Sequence, residues 1–198
     1  MNEKAIVSTV DSPQTIFTIV LALSLGEAFK QFVADKAERP EDRHIHWDRL
    51  MALVALLLLL IPFYHGMGRY FYNVYRTNDR PDPYSAFLVL DALAFTLEAS
   101  LFFVMSRALP RVQWRRFYTA VVCILIIDTL WGSIVWLSHT QSIIGWVILN
   151  LVFLPIFIVI LCRFPKYESK WGPSLSLLVM GIRTVADYAT AWKFYFPE

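Results

Sequence analysis

Four long apolar runs constrain this chain more than any other feature of its sequence. They cover residues 50–72, 84–106, 118–138 and 143–162, and each reaches the roughly 20 residues that a helix needs to cross a bilayer. The composition agrees, because 57% of the residues are hydrophobic and 17% are charged, against about 45–50% and about 25% in soluble domains. The runs predict an all-α polytopic membrane helix bundle and exclude a soluble globular monomer.

Two further segments are apolar but interrupted by charges. Residues 14–34 follow a helix start signal and contain Glu27, and we expect them to be an additional N-terminal transmembrane helix rather than a cleaved signal peptide. Residues 175–196 contain Arg183 and Asp187 near the middle. That position favours a C-terminal amphipathic helix on the membrane or on the bundle, and the alternative is a sixth span with a buried ion pair.

The basic residues predict the orientation of the chain. Lys and Arg are concentrated in alternate loops, around Arg43, Arg111 and Lys166, and such loops are typically cytoplasmic. We therefore predict an integral protein of the plasma (cytoplasmic) membrane with its basic loops and its C-terminus in the cytoplasm. The predicted domains are a transmembrane bundle at 1–165 and a cytoplasmic helix with an aromatic tail at 166–198.

Polar residues inside the apolar runs are the candidate functional residues, because such groups face the protein interior and mark function by default. The acids among them outnumber the bases, so we expect at least one carboxylate to be protonated, hydrated or bound to a cation. A purely structural network that joins the helices is the alternative. The predicted network comprises Glu27, His65, Arg69, Asp91, Glu98, Asp128 and Asn150.

Spacing within the helices suggests how this network is paired. His65 and Arg69 are four residues apart, and Asp91 and Glu98 are seven apart, so each pair shares a helix face. The second and third runs are joined by a short turn and are expected to be antiparallel neighbours. The sequence therefore predicts an ion pair between Arg69 and Asp91.

Aromatic residues and two short fragments complete the set of candidates. Six aromatic residues lie near the ends of apolar runs and are expected to anchor the bundle at the membrane interface; they are Tyr70, Tyr72, Tyr75, Trp114, Tyr118 and Trp146. The fragments 63–66 and 183–188 look motif-like, although they identify no family.

Catalytic, metal and cofactor sites find no support in the sequence. Cys123 and Cys162 lie inside apolar runs, which argues against a disulfide framework or a zinc cluster. Glycine-rich phosphate loops and paired metal-binding motifs do not occur. The formal net charge of +2 gives no field that attracts a polyanion, so direct nucleic-acid binding is not expected. We expect a protein that is not an enzyme and has no cofactor.

Two functions fit these observations. The preferred hypothesis is a non-catalytic sensor, anchor or scaffold within a larger assembly, embedded in lipid as a homo-oligomer, with the polar network as its switch element. The alternative is a small oligomeric ion channel or a proton- or cation-coupled transporter that uses the same residues. In the first hypothesis, the C-terminal tail docks a soluble cytoplasmic partner protein through Arg183, Asp187, Tyr188, Trp192 and Phe194.

Overall fold

The fold is all-α over the residues that the structure, a computed structural model, describes. These are 3–34, 47–76, 86–109, 113–138, 143–163 and 172–197. The helices are α1 (Glu3–Ala34), α2 (Trp47–Phe71), α3 (Ala86–Ala108), α4 (Trp114–Leu137), α5 (Ile144–Arg163), α6 (Gly172–Thr190) and the short α7 (Trp192–Tyr195). The loops around Arg43, Arg111 and Lys166, on which the predicted orientation depends, lie outside these residues.

Five of the described helices are long and apolar enough to cross a membrane. The candidate spans lie in α1 to α5 and confirm the four predicted transmembrane helices and the additional N-terminal one. Large apolar side chains such as Leu130 on α4 and Val159 on α5 remain exposed on the outside of the bundle, as expected where the surroundings are lipid. The chain is a multi-pass integral membrane protein.

The helices form a closed ring in the order α1, α3, α4, α5, α6, α2 and back to α1. Helix α2 also contacts α3, as the short connection between them predicts, but its most extensive packing is against α6. Aromatic rings fill the space between the helices. Phe95 of α3 lies 4.8 Å from Trp131 of α4 and 6.1 Å from Phe63 of α2, measured between ring centroids.

Helix α6 runs alongside α2 in the same direction. Ser174 at its start is near Met51, Thr184 at its centre bonds to Leu58, and Phe194 just beyond its end receives a hydrogen bond from Arg69. Because α2 is one of the membrane-crossing helices, α6 lies beside it at membrane depth. The predicted C-terminal amphipathic helix is thus present, and its polar face is buried against α2 and α5.

A proline in α2 accounts for one of the contacts to α6. Pro62 has no N–H and leaves the carbonyl oxygen of Leu58, four residues earlier, without its helical partner. The hydroxyl of Thr184 on α6 donates to that oxygen at 2.6 Å. The two helices are therefore joined at membrane depth, where an unsatisfied carbonyl is costly.

We predict that Thr184→Val lowers the free energy of unfolding by roughly 1 kcal/mol, the usual size of an interhelical hydrogen bond in a membrane. The same substitution made together with Pro62→Ala should cost less, because residue 62 then supplies an N–H to Leu58. Unfolding in mixed detergent micelles measures both. Thr190→Val is the matched control, since the exposed Thr190 hydroxyl bonds only within its own helix. Equal costs in the two backgrounds would contradict the role of Pro62.

A buried charged cluster and its cavity

Three polar side chains link three helices in the interior of the bundle. Arg183 of α6 donates from Nη2 to Oδ1 of Asn150 on α5 at 2.9 Å. The Nδ2 of Asn150 in turn donates to Oδ2 of Asp128 on α4 at 2.6 Å. Arg183 is only 7% exposed and Asn150 only 1%. A guanidinium is thus held inside the bundle by an amide that also binds a carboxylate.

Asp187 extends this chain by one helical turn of α6. Its Oδ2 lies 3.9 Å from Nη1 of Arg183. Its Oδ1 accepts hydrogen bonds from Nε1 of Trp146 on α5 at 3.0 Å and from the hydroxyl of Tyr195 on α7 at 3.1 Å. The carboxylate of Asp187 therefore has both a cation and two neutral donors, which is what a buried charge requires.

Gly66 of α2 makes room for Tyr195. A Cβ atom at Gly66 would lie 3.2 Å from the Tyr195 hydroxyl, whereas a Cβ atom at Gly68 would meet nothing within 4 Å. His65 next to it contacts the same tail, with its Nδ1 3.5 Å from the hydroxyl of Tyr188. The two motif-like fragments, 63–66 and 183–188, thus meet across the α2–α6 interface.

A cavity of about 40 Å³ adjoins these groups. Since one water molecule needs roughly 10–15 Å³ of such volume, the cavity has room for a few waters or a very small solute. Its polar walls are Asp128, Asn150, Arg183, Asp187 and Tyr195, and the rest of its lining is apolar or aromatic. The arrangement provides both hydrogen-bond donors and acceptors to whatever occupies it.

Acids outnumber the base in this part of the bundle. Glu98 of α3 is fully buried, and the charges that act on it are those of Asp128 and Arg183. The described cluster thus combines three carboxyl groups with one guanidinium. The surplus of acids that the sequence predicts is present around Arg183, a residue that sequence reasoning assigned to the docking tail.

A second buried carboxylate, Asp91 of α3, is bound by neutral donors. The hydroxyls of Tyr70 and Tyr75 reach its Oδ2 at 3.1 and 2.5 Å, and Nε1 of Trp131 on α4 reaches its Oδ1 at 2.8 Å. Tyr75 lies in a π-helical turn, Tyr72–Arg76, that continues α2. This turn brings the Tyr75 hydroxyl to the same carboxylate oxygen that Tyr70 reaches.

The predicted ion pair between Arg69 and Asp91 is wrong. The Nε of Arg69 donates to the backbone oxygen of Phe194 at 3.1 Å, and its guanidinium lies 5.5 Å from the centre of the Tyr72 ring. Residues that share a helix face can still turn towards different neighbours, and α2 turns Arg69 towards α7 rather than α3.

The remaining predicted residues fall into three places. Glu27 is on α1 and does not line the cavity. His65 lies outside the cavity in an aromatic group, with its ring centroid 4.9 Å from that of Tyr195. In the tail, Arg183 and Asp187 are buried, Phe194 packs 4.6 Å from Trp146, and Trp192 is exposed. Most of the predicted docking residues therefore face the bundle.

Sequence reasoning missed the aromatic donors, because it placed Tyr70, Tyr75 and Trp146 at the membrane interface as anchors. A usable signal exists, since buried tyrosine and tryptophan need a hydrogen-bond partner and intramembrane carboxylates need donors.

Comparisons of the chain with protein-family models, with curated proteins and with solved structures found no match. The function of this chain is therefore inferred from the geometry of this cluster.

We predict that Asp91→Asn lowers the free energy of unfolding by about 1–3 kcal/mol, the cost of leaving a buried donor unsatisfied. The amide keeps the shape of the carboxylate, but its nitrogen cannot accept from the donors of α2 or α4. Arg69→Ala is the control and should cost less, because Arg69 bonds elsewhere. Unfolding of the purified protein in mixed micelles measures both, and equal losses would contradict this assignment of donors.

Proposed function

We propose that this protein is a non-catalytic component of a larger membrane assembly, and that α6 is its switch element. The observation that carries the proposal is the buried hydrogen bond from Arg183 of α6 to Asn150, which also binds Asp128. This link ties the position of α6 to an amide on α5 and, through it, to the charge state of a carboxyl group on α4. A partner, a ligand or a membrane condition that alters the cluster thereby alters the position of α6.

Two stable locations exist for a helix with the faces of α6. Inside the bundle, its polar face is buried and its apolar face, with Val185 69% exposed, meets lipid. On the membrane surface, the same apolar face would enter lipid while Arg183 and Asp187 would meet water. Helix α6 is not among the described helices that qualify as spans by themselves, and each charge at the centre of an inserted helix costs about 2.5–3.5 kcal/mol.

The hydrogen bonds that hold α6 in the bundle are weak enough for it to leave and return reversibly. Interhelical hydrogen bonds in membranes contribute about 0.6 kcal/mol on average, and up to roughly 2 kcal/mol. A few such bonds hold α6, and allosteric coupling energies are typically about 1–3 kcal/mol. A binding event of ordinary strength is enough to shift the balance between the two locations.

The predicted docking tail is fully accessible to a partner only after α6 leaves the bundle. With α6 in the bundle, Trp192 and Phe196 are exposed while Arg183 and Asp187 are buried. After release, the polar face of α6 joins them on one surface. A soluble partner that binds this surface would then stabilise the released state, as mass action requires.

The accessibility of a buried position on α6 tests the switch. Met180 is 1% exposed, so a thiol in Met180→Cys should react slowly with a membrane-permeant maleimide in protein that lacks Cys123 and Cys162. Adding Asn150→Leu removes two hydrogen bonds of the cluster and should raise the rate about tenfold, since 1.4 kcal/mol corresponds to a factor of ten. Val185→Cys on the exposed face of α6 is the matched control, and its rate should not change.

A pair of glycine variants provides a second, independent disturbance. Gly66→Ala should displace the Tyr195 hydroxyl from Asp187 and also raise the labelling rate of Met180→Cys. Gly68→Ala, two residues along α2 in open space, should leave it unchanged. Labelling of Met180→Cys that stays slow in all of these variants would mean that α6 is a fixed part of the bundle, and the switch would be abandoned.

Ion transport is the second candidate, favoured by the position of the cavity beside Asp128 and Asp187 in the interior of the bundle. In this case purified protein in liposomes should move protons or monovalent cations, and Asp128→Asn should abolish the flux without unfolding the protein. Liposomes that remain silent while Met180→Cys responds to Asn150→Leu would leave the switch as the function.

A further inference from the structure

Glu98 is the one acid of the cluster whose charge is not accounted for by neighbouring donors. It lies on α3 with 0% of its surface exposed. Neither carboxyl oxygen has a hydrogen-bond partner within the described part of the chain. An ionised carboxylate in this position would lack both water and donors, which is among the most costly arrangements inside a membrane protein.

The neighbours of Glu98 on its own helix and on α2 are apolar. Phe95 and Phe102 lie one turn to either side of it on α3, and both pack against Phe63 of α2, with centroid distances of 6.1 and 5.1 Å. These rings replace the water that a charged group would need. Glu98 therefore lies between two aromatic residues on the same face of α3.

The charged groups around Glu98 act on its anion in opposite directions. Asp128 of α4 repels it, and Arg183 of α6 attracts it, but the two terminal nitrogens of Arg183 are directed at Asn150 and Asp187. Asp91 lies two turns away with donors of its own. The terminal nitrogens of the nearby guanidinium are thus engaged by other groups, and its Nε makes no hydrogen bond to Glu98 or to any other described residue.

We infer that Glu98 binds a proton and is a neutral carboxylic acid in the resting bundle, so that Asp128 and Asp187 remain as the charged acids opposite Arg183. A bound metal ion would be the other way to offset a negative charge on Glu98, but no group of three or more candidate ligands occurs among the described residues. Phe95, one turn from Glu98, lines the cavity. The cavity therefore begins one helical turn from the proposed proton site.

This inference uses the cluster of the proposed function but does not require α6 to move. Loss of the switch, with Met180→Cys unreactive in every variant, would leave the proton site intact. Conversely, an ionised Glu98 would remove the proton site and leave the labelling result unchanged. The two ideas therefore fail separately.

Infrared spectroscopy of the full-length protein in lipid vesicles at neutral pH tests the inference directly. A protonated buried carboxyl group has a carbonyl stretching band well separated from that of a carboxylate. We expect this band in the natural protein, its loss in Glu98→Gln and its retention in Asp128→Asn. Absence of the band from the natural protein, or its loss only in Asp128→Asn, would overturn the assignment to Glu98.

Two further measurements complete the test. The first uses the natural protein and does not depend on whether Glu98→Gln folds, and the second distinguishes a proton from a bound cation. Glutamate labelled with ¹³C at the side-chain carboxyl should shift the band in the natural protein, whereas labelled aspartate should not, and the opposite result would contradict the inference. The Tm of the natural protein should be equal in sodium and in choline buffers. A higher Tm in sodium that is lost in Glu98→Gln would identify a bound cation instead of a proton.

Discussion

The burial of one guanidinium at membrane depth is the interaction on which the rest of this structure depends. Arg183 cannot lose its proton in practice, so its charge must be met inside the bundle. Asn150, Asp128 and Asp187 do this from three helices. Without that group of partners, α6 would carry its charges into lipid, and the ring of helices would open between α2 and α5.

The two buried acidic residues of α3 differ in the hydrogen-bond donors that surround their carboxyl groups. Asp91 is bound by two tyrosine hydroxyls and an indole N–H, which is an arrangement that stabilises an anion and joins α2, α3 and α4. Glu98, two turns away, has phenylalanine rings on either side along the helix and no donor among the described residues. The first serves the architecture, while the second is the better candidate for chemistry that involves a proton.

Irregularities within α2 and directly after it create polar contacts to α6, α7 and α3. Pro62 exposes the carbonyl that Thr184 binds, Gly66 admits the Tyr195 hydroxyl, and the π-helical turn aims Tyr75 at Asp91. Each is a local departure from a regular apolar helix, and at each one a polar group of another element makes a contact. Such contacts are individually weak in membranes, which is why a helix seated in this way can be both specific and displaceable.

The sequence by itself determined that the chain crosses a membrane, which segments do so and which polar residues fall within those segments, because span length and hydropathy are local properties that the bilayer imposes. Only the tertiary structure decided which of those residues meet. Helix spacing correctly placed Asp91 and Glu98 on one face, but the order of helices in the ring and their rotation turned Arg69 away and brought Arg183 in. The location of α6 depended on the same long-range packing, since a helix with two charges is unfavourable in lipid until other helices supply the partners for them.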